Sequence, residues 1–343
     1  MSNPPGQIAD WSDVDRATFR DEIVTRNQPA ILRGVVRGWP AVRQGSASPQ
    51  AMCAYLMGLS QGKPVPLLMA DPATKGRFFF REDMRGFNCQ RRQVALAVAL
   101  RMLLTHLHDT APPGIFVEAA PLPDCLPDFA GGNRLELLDD SIVPRIWIGN
   151  AVTVQTHYDL SSNVACVLSG RRRFTLFPPE QLPNLYPGPM HITPAGVPIS
   201  MVQMQDPDFR RYPRFRDALA AARVAELGPG DALFIPYGWW HHVQSLGTFN
   251  VLVNYWWANG NPATSPLHSL LHGLLALRDM PPAERAIWRN LFDYYVFQSN
   301  GDPVAHLPPA VHGPMGVHSP ELVREIKALL AHELSRPRHI DNI

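Results

Sequence analysis

VTVQTHYDL, residues 152–160, is the stretch on which the fold turns. His157 and Asp159 stand two apart in a run of strand-forming residues, and on a strand the period-two geometry turns both side chains to one face. About eighty residues later, GDALFIPYGWWHHV (230–243) sets His241 just after a strand and a Pro-x-Gly turn. Two imidazoles and one carboxylate on one face of a metal leave its other positions open. That arrangement suits non-heme iron(II), although zinc accepts the same donors.

The runs around these motifs are short and rich in Val, Ile, Phe, Tyr and Trp, with Pro and Gly between them: GIFVEA, PRIWIGN, NVACVLSG, RRFTLFPP, ALFIPYGWW and FNVLVNYWW, together with VTVQTHYD. They predict a mainly β core over 114–262, an antiparallel barrel or double-sheet jelly roll. Upstream, residues 13–26 place Phe19, Ile23 and Val24 at helical spacing, PAILRGVV reads as a strand, 49–59 as a helix and FFFRED as a strand. RRQVALAVALRMLLTHLHD (91–109) is the clearest helix of the first half, so 1–113 is expected to form an α/β region packed on the core. After NGNPATSP, residues 266–297, with a break at Pro281 and Pro282, and 319–334 predict a helical extension over 263–343.

Lys plus Arg total 31 against 30 for Asp plus Glu, so no overall field draws the chain to nucleic acid or an anionic membrane. The four cysteines lie far apart without a CxxC pair, and the N-terminus lacks the basic start and apolar run of a secretory signal. No apolar stretch approaches the roughly 20 residues of a membrane-spanning helix. A soluble protein in a reducing cytoplasm is the expectation. The 35 prolines, spread along the chain, favour many short strands and turns over long helices.

Gly230, Pro236, Gly238 and His241 reproduce the spacing of the second conserved cupin motif, and His157-x-Asp159, Asn163 and Gly170 resemble the first in altered form. Asp159 stands where many cupins have a second histidine, and Asn163 where many have glutamate. Within that superfamily HYDLSSN, GRRRFTLFPPEQLPNLYP, GPGDALFIPYGWWHHVQSL and VNYWW, with the earlier QPAILRGVVRGWP and FFFREDMRGFN, resemble the JmjC-like branch that includes the hypoxia-inducible factor asparaginyl hydroxylase. The resemblance covers most of residues 10–260. It implies a double-stranded β-helix core, Fe(II), 2-oxoglutarate and dioxygen, with hydroxylation or demethylation of a substrate.

Carried over position by position, the resemblance makes His157, Asp159 and His241 the metal and catalytic residues, and Asn163 and Asn254 polar contacts of the cosubstrate. Arg172 replaces the lysine that usually pairs with the distal carboxylate of 2-oxoglutarate, and a guanidinium serves because it meets a carboxylate with two parallel hydrogen bonds. If the strand starts after Gly170, Arg172 shares its face with Phe174 and Leu176, and Arg171 and Arg173 take the other. An arginine on an apolar inner face needs a buried anion. Val154 stands where the hydroxylase has a threonine; Thr153 and Thr156 are the nearby hydroxyls, and neither is assigned. His242 should point away from His241 as a hydrogen-bonded structural residue, and Trp239 and Trp240 read as packing. Trp256 matches a family aromatic near the site and is equally well placed for the core. His106 and His108, two apart at a helix end, face about 200° apart and cannot share a metal. His268 and His272, at helical spacing, lack a third ligand nearby.

The reading is therefore an Fe(II)- and 2-oxoglutarate-dependent oxygenase, a hydroxylase of a protein side chain or small molecule. Two alternatives stay open: a non-catalytic metal-binding cupin acting as sensor or scaffold, and a manganese or zinc cupin isomerase or lyase. The apolar helical face of Leu267, Leu270, Leu271, Leu274 and Leu275 predicts a homodimer.

Overall fold

Thirteen strands carry the chain, in two sheets that pack face to face. The computed structural model describes residues 6–193, 196–258 and 264–335. The chain divides into two units, 1–259 and 260–343. The boundary expected at 262 lies outside the described residues.

The large sheet runs β1-β2-β11-β8-β13-β6-β5-β3-β4 and the small one β10-β9-β12-β7. In chain order the strands are β1 Ala9–Ser12, β2 Ala30–Arg33, β3 Pro64–Ala70, β4 Cys89–Ala95, β5 Gly114–Pro121, β6 Pro144–Gly149 and β7 Thr153–His157. There follow β8 Ser162–Ser169, β9 Arg172–Phe177, β10 Arg223–Leu227, β11 Ala232–Ile235, β12 Trp240–Ser245 and β13 Asn250–Trp257. Apart from β1 with β2, every pairing is antiparallel. The core is a jelly roll, and β1–β4 extend its large sheet.

Period-two alternation decides what each face buries. On β8, Val164, Cys166 and Leu168 join the outer hydrophobic core beneath the N-terminal helices, while Ala165 and Val167 face the layer between the sheets. On β13, Val251, Val253 and Tyr255 go to the outer core and Leu252 to the inner layer. Phe174 and Leu176 of β9, Leu233 and Ile235 of β11 and Val243 of β12 complete that layer. Helix Pro40–Ala47 lies so close to β8 that a Cβ at Gly45 would come within 2.1 Å of the Leu168 carbonyl. Gly170 turns β8 into β9 with φ +73°, a conformation glycine reaches without steric penalty.

Several expected elements are corrected. Residues 89–95, read as the start of a helix, are β4, and the helix is confined to Leu96–Thr105. Arg91 and Arg92 there face solvent as edge-strand charges, a pattern that helical periodicity mimics. FFFRED forms no strand, only an isolated bridge from Phe80 to Phe87. Residues 13–26 coil as short helical turns ending at Asn27 in the left-handed region. β10, β12 and helix Pro40–Ala47 were not foreseen. In the second unit, helices Pro266–Leu277, Pro282–Tyr295 and Pro320–Ser335 form, the first two separated at Pro281. No described helix is long and apolar enough to cross a membrane, and all four cysteines are free.

Candidate metal and cosubstrate site

At one end of the inter-sheet layer the apolar side chains give way to polar ones. Asn163, Asn254, Arg172, His157 and His241 are all buried there, against Phe116, Trp147, Val154 and Leu252. β7 and β12 pair directly at this end, with His157 opposite His241. Asp159 lies two residues past the end of β7, off the strand that the spacing implied. Its carbonyl accepts a hydrogen bond from Gly238 N (3.1 Å), which ties the two ligand-bearing segments together.

One ligand atom from each of His157, Asp159 and His241 lies within 4.8 Å of the others. His157 Nε2 is 4.0 Å from Asp159 Oδ1, and His241 Nε2 is 3.7 Å from Asp159 Oδ2. The Nδ1 atoms meet carbonyls that can only accept, Gln155 O at 2.8 Å and Trp239 O at 3.1 Å. Each ring therefore carries its proton on Nδ1 and offers the Nε2 lone pair to the centre. Burial, with His157 beside it, pushes the His241 imidazole down to about 4, so it rests in the neutral form a metal requires.

At the other end of the pocket stands Arg172, four residues along β9 from Leu176, which pairs with His241. It is 2% exposed, and its Nε and Nη2 have no hydrogen-bond partner among the described residues. Arg171 and Arg173 instead reach outward to Glu226 on β10, at 2.7 Å and 2.5 Å. Burial pushes the Arg172 guanidinium down to about 10, which leaves it charged at neutral pH. A buried cation without a counter-ion is costly, and an anionic ligand in this pocket would supply one. The metal donors and this cation fit the two ends of a keto-dicarboxylate.

The two asparagines are oriented through Trp147. Its Nε1–H, a donor only, gives a 2.7 Å hydrogen bond to Asn254 Oδ1, so Asn254 turns its nitrogen to Asn163 Oδ1 at 3.2 Å. Sequence reasoning did not single out Trp147, which the run PRIWIGN showed only as a strand residue.

A bulge decides which side chains of β7 enter the pocket. His241 pairs with His157 but Val243 with Val154, so β7 carries one extra residue and both Val154 and His157 face inward. Thr156 Oγ1 turns the other way to His242 Nδ1 at 3.2 Å, and Thr153 Oγ1 accepts from Gln205 Nε2 at 3.4 Å. Neither threonine lines the pocket. His242 is buried behind the ligands, where Gln205 Nε2 also donates to its Nε2 at 3.0 Å. Trp239 and Trp240 are buried in packing clusters. His106 Nδ1 bonds Asp109 at 2.7 Å, outside the site. Trp256 donates its indole N–H to Asp159 Oδ2 at 2.9 Å.

A double-stranded β-helix with two histidines and an aspartate at its mouth defines a cupin oxygenase scaffold, and comparison with known proteins agrees. The chain belongs to the cupin-like domain family, which matches residues 16–262, in its JmjC-type branch of Fe(II)/2-oxoglutarate oxygenases. Lysine-specific demethylase JMJ31 of Arabidopsis thaliana is 37% identical over 123 residues, 36% of this chain and 22% of that protein. HSPB1-associated protein 1 of Homo sapiens is 37% identical over 113 residues, 32% of this chain and 22% of that one. Lysine-specific demethylase 8 of Xenopus tropicalis is 25% identical over 246 residues, 70% of this chain and 50% of the relative. The chain thus spans about a fifth to a half of the length of these relatives.

Proposed function

We propose that the protein is an Fe(II)- and 2-oxoglutarate-dependent oxygenase that hydroxylates a protein side chain or a small molecule, with His157, Asp159 and His241 as metal ligands. The observation that carries this reading is Arg172: a buried guanidinium with orphaned donors, in the same pocket as a three-donor metal cluster. Bound there, the iron and keto acid supply the oxidative decarboxylation that puts one oxygen atom of dioxygen into succinate and the other into a substrate C–H bond.

The residues of the chain bind, orient and exclude. Arg172 receives the distal carboxylate, and its planar fork selects a two-oxygen anion over a point charge. Asn163 and Asn254 offer amide groups along the pocket, held in one orientation by Trp147. Phe116, Val154, Phe174 and Leu252 form apolar walls that keep water from the keto acid. His157 and His241 hold their protons on Nδ1, away from the reacting centre. The near-neutral balance of charges favours a protein or small-molecule substrate over nucleic acid, and the composition fits a cytoplasmic protein.

The second unit supports self-association into a homodimer. Leu270, Leu271 and Leu275 of helix Pro266–Leu277 are exposed, as are Ile287, Trp288, Leu291 and Tyr295 of helix Pro282–Tyr295. Apolar stripes of this kind are rarely left to solvent.

The test is anaerobic addition of iron(II) and then 2-oxoglutarate, watching for the weak visible charge-transfer band of a chelated keto acid. The band should form in the native protein, vanish in His157→Ala and weaken in Arg172→Ala. Metal binding without a band would sink the oxygenase reading and promote the isomerase or the non-catalytic cupin. Formaldehyde released from an N-methylated substrate would replace hydroxylation by demethylation.

A further inference from the structure

Two of the three proposed ligands sit on paired strands, where backbone hydrogen bonds fix them; the third does not. Asp159 lies beyond the end of β7, and its side chain is 17% exposed. A carboxylate on a loop rotates about its side-chain bonds unless a donor holds it, and the Trp256 indole N–H does so at 2.9 Å from Oδ2. Trp256 is placed for this by alternation along β13: Leu252, Asn254 and Trp256 all line the pocket, while Val253 and Tyr255 face the outer core. The indole is itself fixed. Trp147 meets it edge-on, with ring centroids 5.7 Å apart at 90°, and the Arg145 guanidinium lies 5.9 Å from its centroid.

We infer that Trp256 is the positioning residue of the metal site: its N–H sets the rotation of the Asp159 carboxylate, so that a loop ligand is presented as firmly as the two strand ligands. This inference rests on the metal reading proposed above. The continuous series Asp159, Trp256, Trp147, Asn254 and Asn163 then divides at the two indoles. Trp256 acts on the metal ligand, and Trp147 acts on the amide pair at the keto acid. Packing alone would make the two rings interchangeable; their hydrogen bonds make them distinct.

Hydrogen-bond partners of metal ligands typically change metal affinity by about 10- to 100-fold when removed. The experiment is an anaerobic iron(II) titration of the full chain against a competing chelator, with thermal melting of the metal-free protein alongside. Trp256→Phe, which keeps an aromatic ring and loses the donor, is expected to bind iron(II) about 10- to 100-fold more weakly. Trp147→Phe is expected to keep native iron(II) affinity and to bind 2-oxoglutarate more weakly once iron is in place. Should Trp256→Phe melt well below the native protein, replacement of Trp256 by its benzothienyl isostere, which lacks only the N–H, must show the same loss. Native iron(II) affinity in the N–H-less proteins overturns the inference and leaves the oxygenase reading standing. Equal weakening of iron(II) binding by both phenylalanine variants also overturns it, since packing would then account for both. A native protein that binds no iron(II) overturns this inference together with the oxygenase proposal.

Discussion

Replacing Arg172 by methionine should make the metal-free protein more stable and abolish productive 2-oxoglutarate binding. Arg172 is 2% exposed, charged at neutral pH, and carries buried donors without partners. A buried polar group left unsatisfied is destabilising by about 1–3 kcal/mol. Methionine fills much of the same volume with an unbranched apolar chain, so relief of about that size is expected. For a unit of this length each kcal/mol moves the melting temperature by about 2–4 °C, so a rise of several degrees should be measurable. With 2-oxoglutarate present the sign reverses. Truncating one partner of a buried, hydrogen-bonded charge pair costs about 2–5 kcal/mol. At about 1.36 kcal/mol per decade this weakens keto-acid binding by about 30-fold to several thousandfold. The assay pairs melting of the metal-free protein with an anaerobic 2-oxoglutarate titration of the iron(II) form. A variant that melts lower and still titrates like the native protein would refute the reasoning, because Arg172 would then be a structural cation.

Burial pushes His241 down to about 4 and His242 down to about 3, against 6.5 in the unfolded chain, so below pH 6.5 the unfolded state binds more protons. Stability of the metal-free protein should be full above that pH and fall on acidification by up to about 1.4 kcal/mol per pH unit for each histidine; a denaturation midpoint unchanged down to pH 5 would contradict neutral buried imidazoles. Leu271→Glu combined with Ile287→Glu charges two exposed apolar positions of the second unit and should shift sedimentation at micromolar concentration from dimer to monomer. A native protein that already sediments as a monomer would remove the homodimer proposal. Gly45→Ala drives a Cβ toward the Leu168 carbonyl and should lower stability by about 1–3 kcal/mol through overpacking, read as a lower midpoint in urea; a neutral effect would mean that the helix slides on β8 freely.

The sequence by itself determined the strand-rich core and the inward set of side chains, because alternation is a local property written residue by residue. Ala165 and Val167 against Val164, Cys166 and Leu168 is one case, and Arg172 against Arg171 and Arg173 is another. Spacing also carried the three clustered donors, since a turn of fixed length between β11 and β12 returns His241 to the level of His157. Tertiary structure alone decided three things. Residues 89–95 became a strand because β3 offered an edge to pair with, which no local preference records. The extra residue in β7 sent Val154 inward and Thr153 and Thr156 outward, because a bulge depends on the partner strand's register. Trp256 reached Asp159 only after β13 had folded beside β8, nearly a hundred residues from the ligand it touches. Side-chain direction along one strand is set by bond geometry within a few residues, whereas pairing partners, register and the contacts of a loop carboxylate are set by which distant segments share the core.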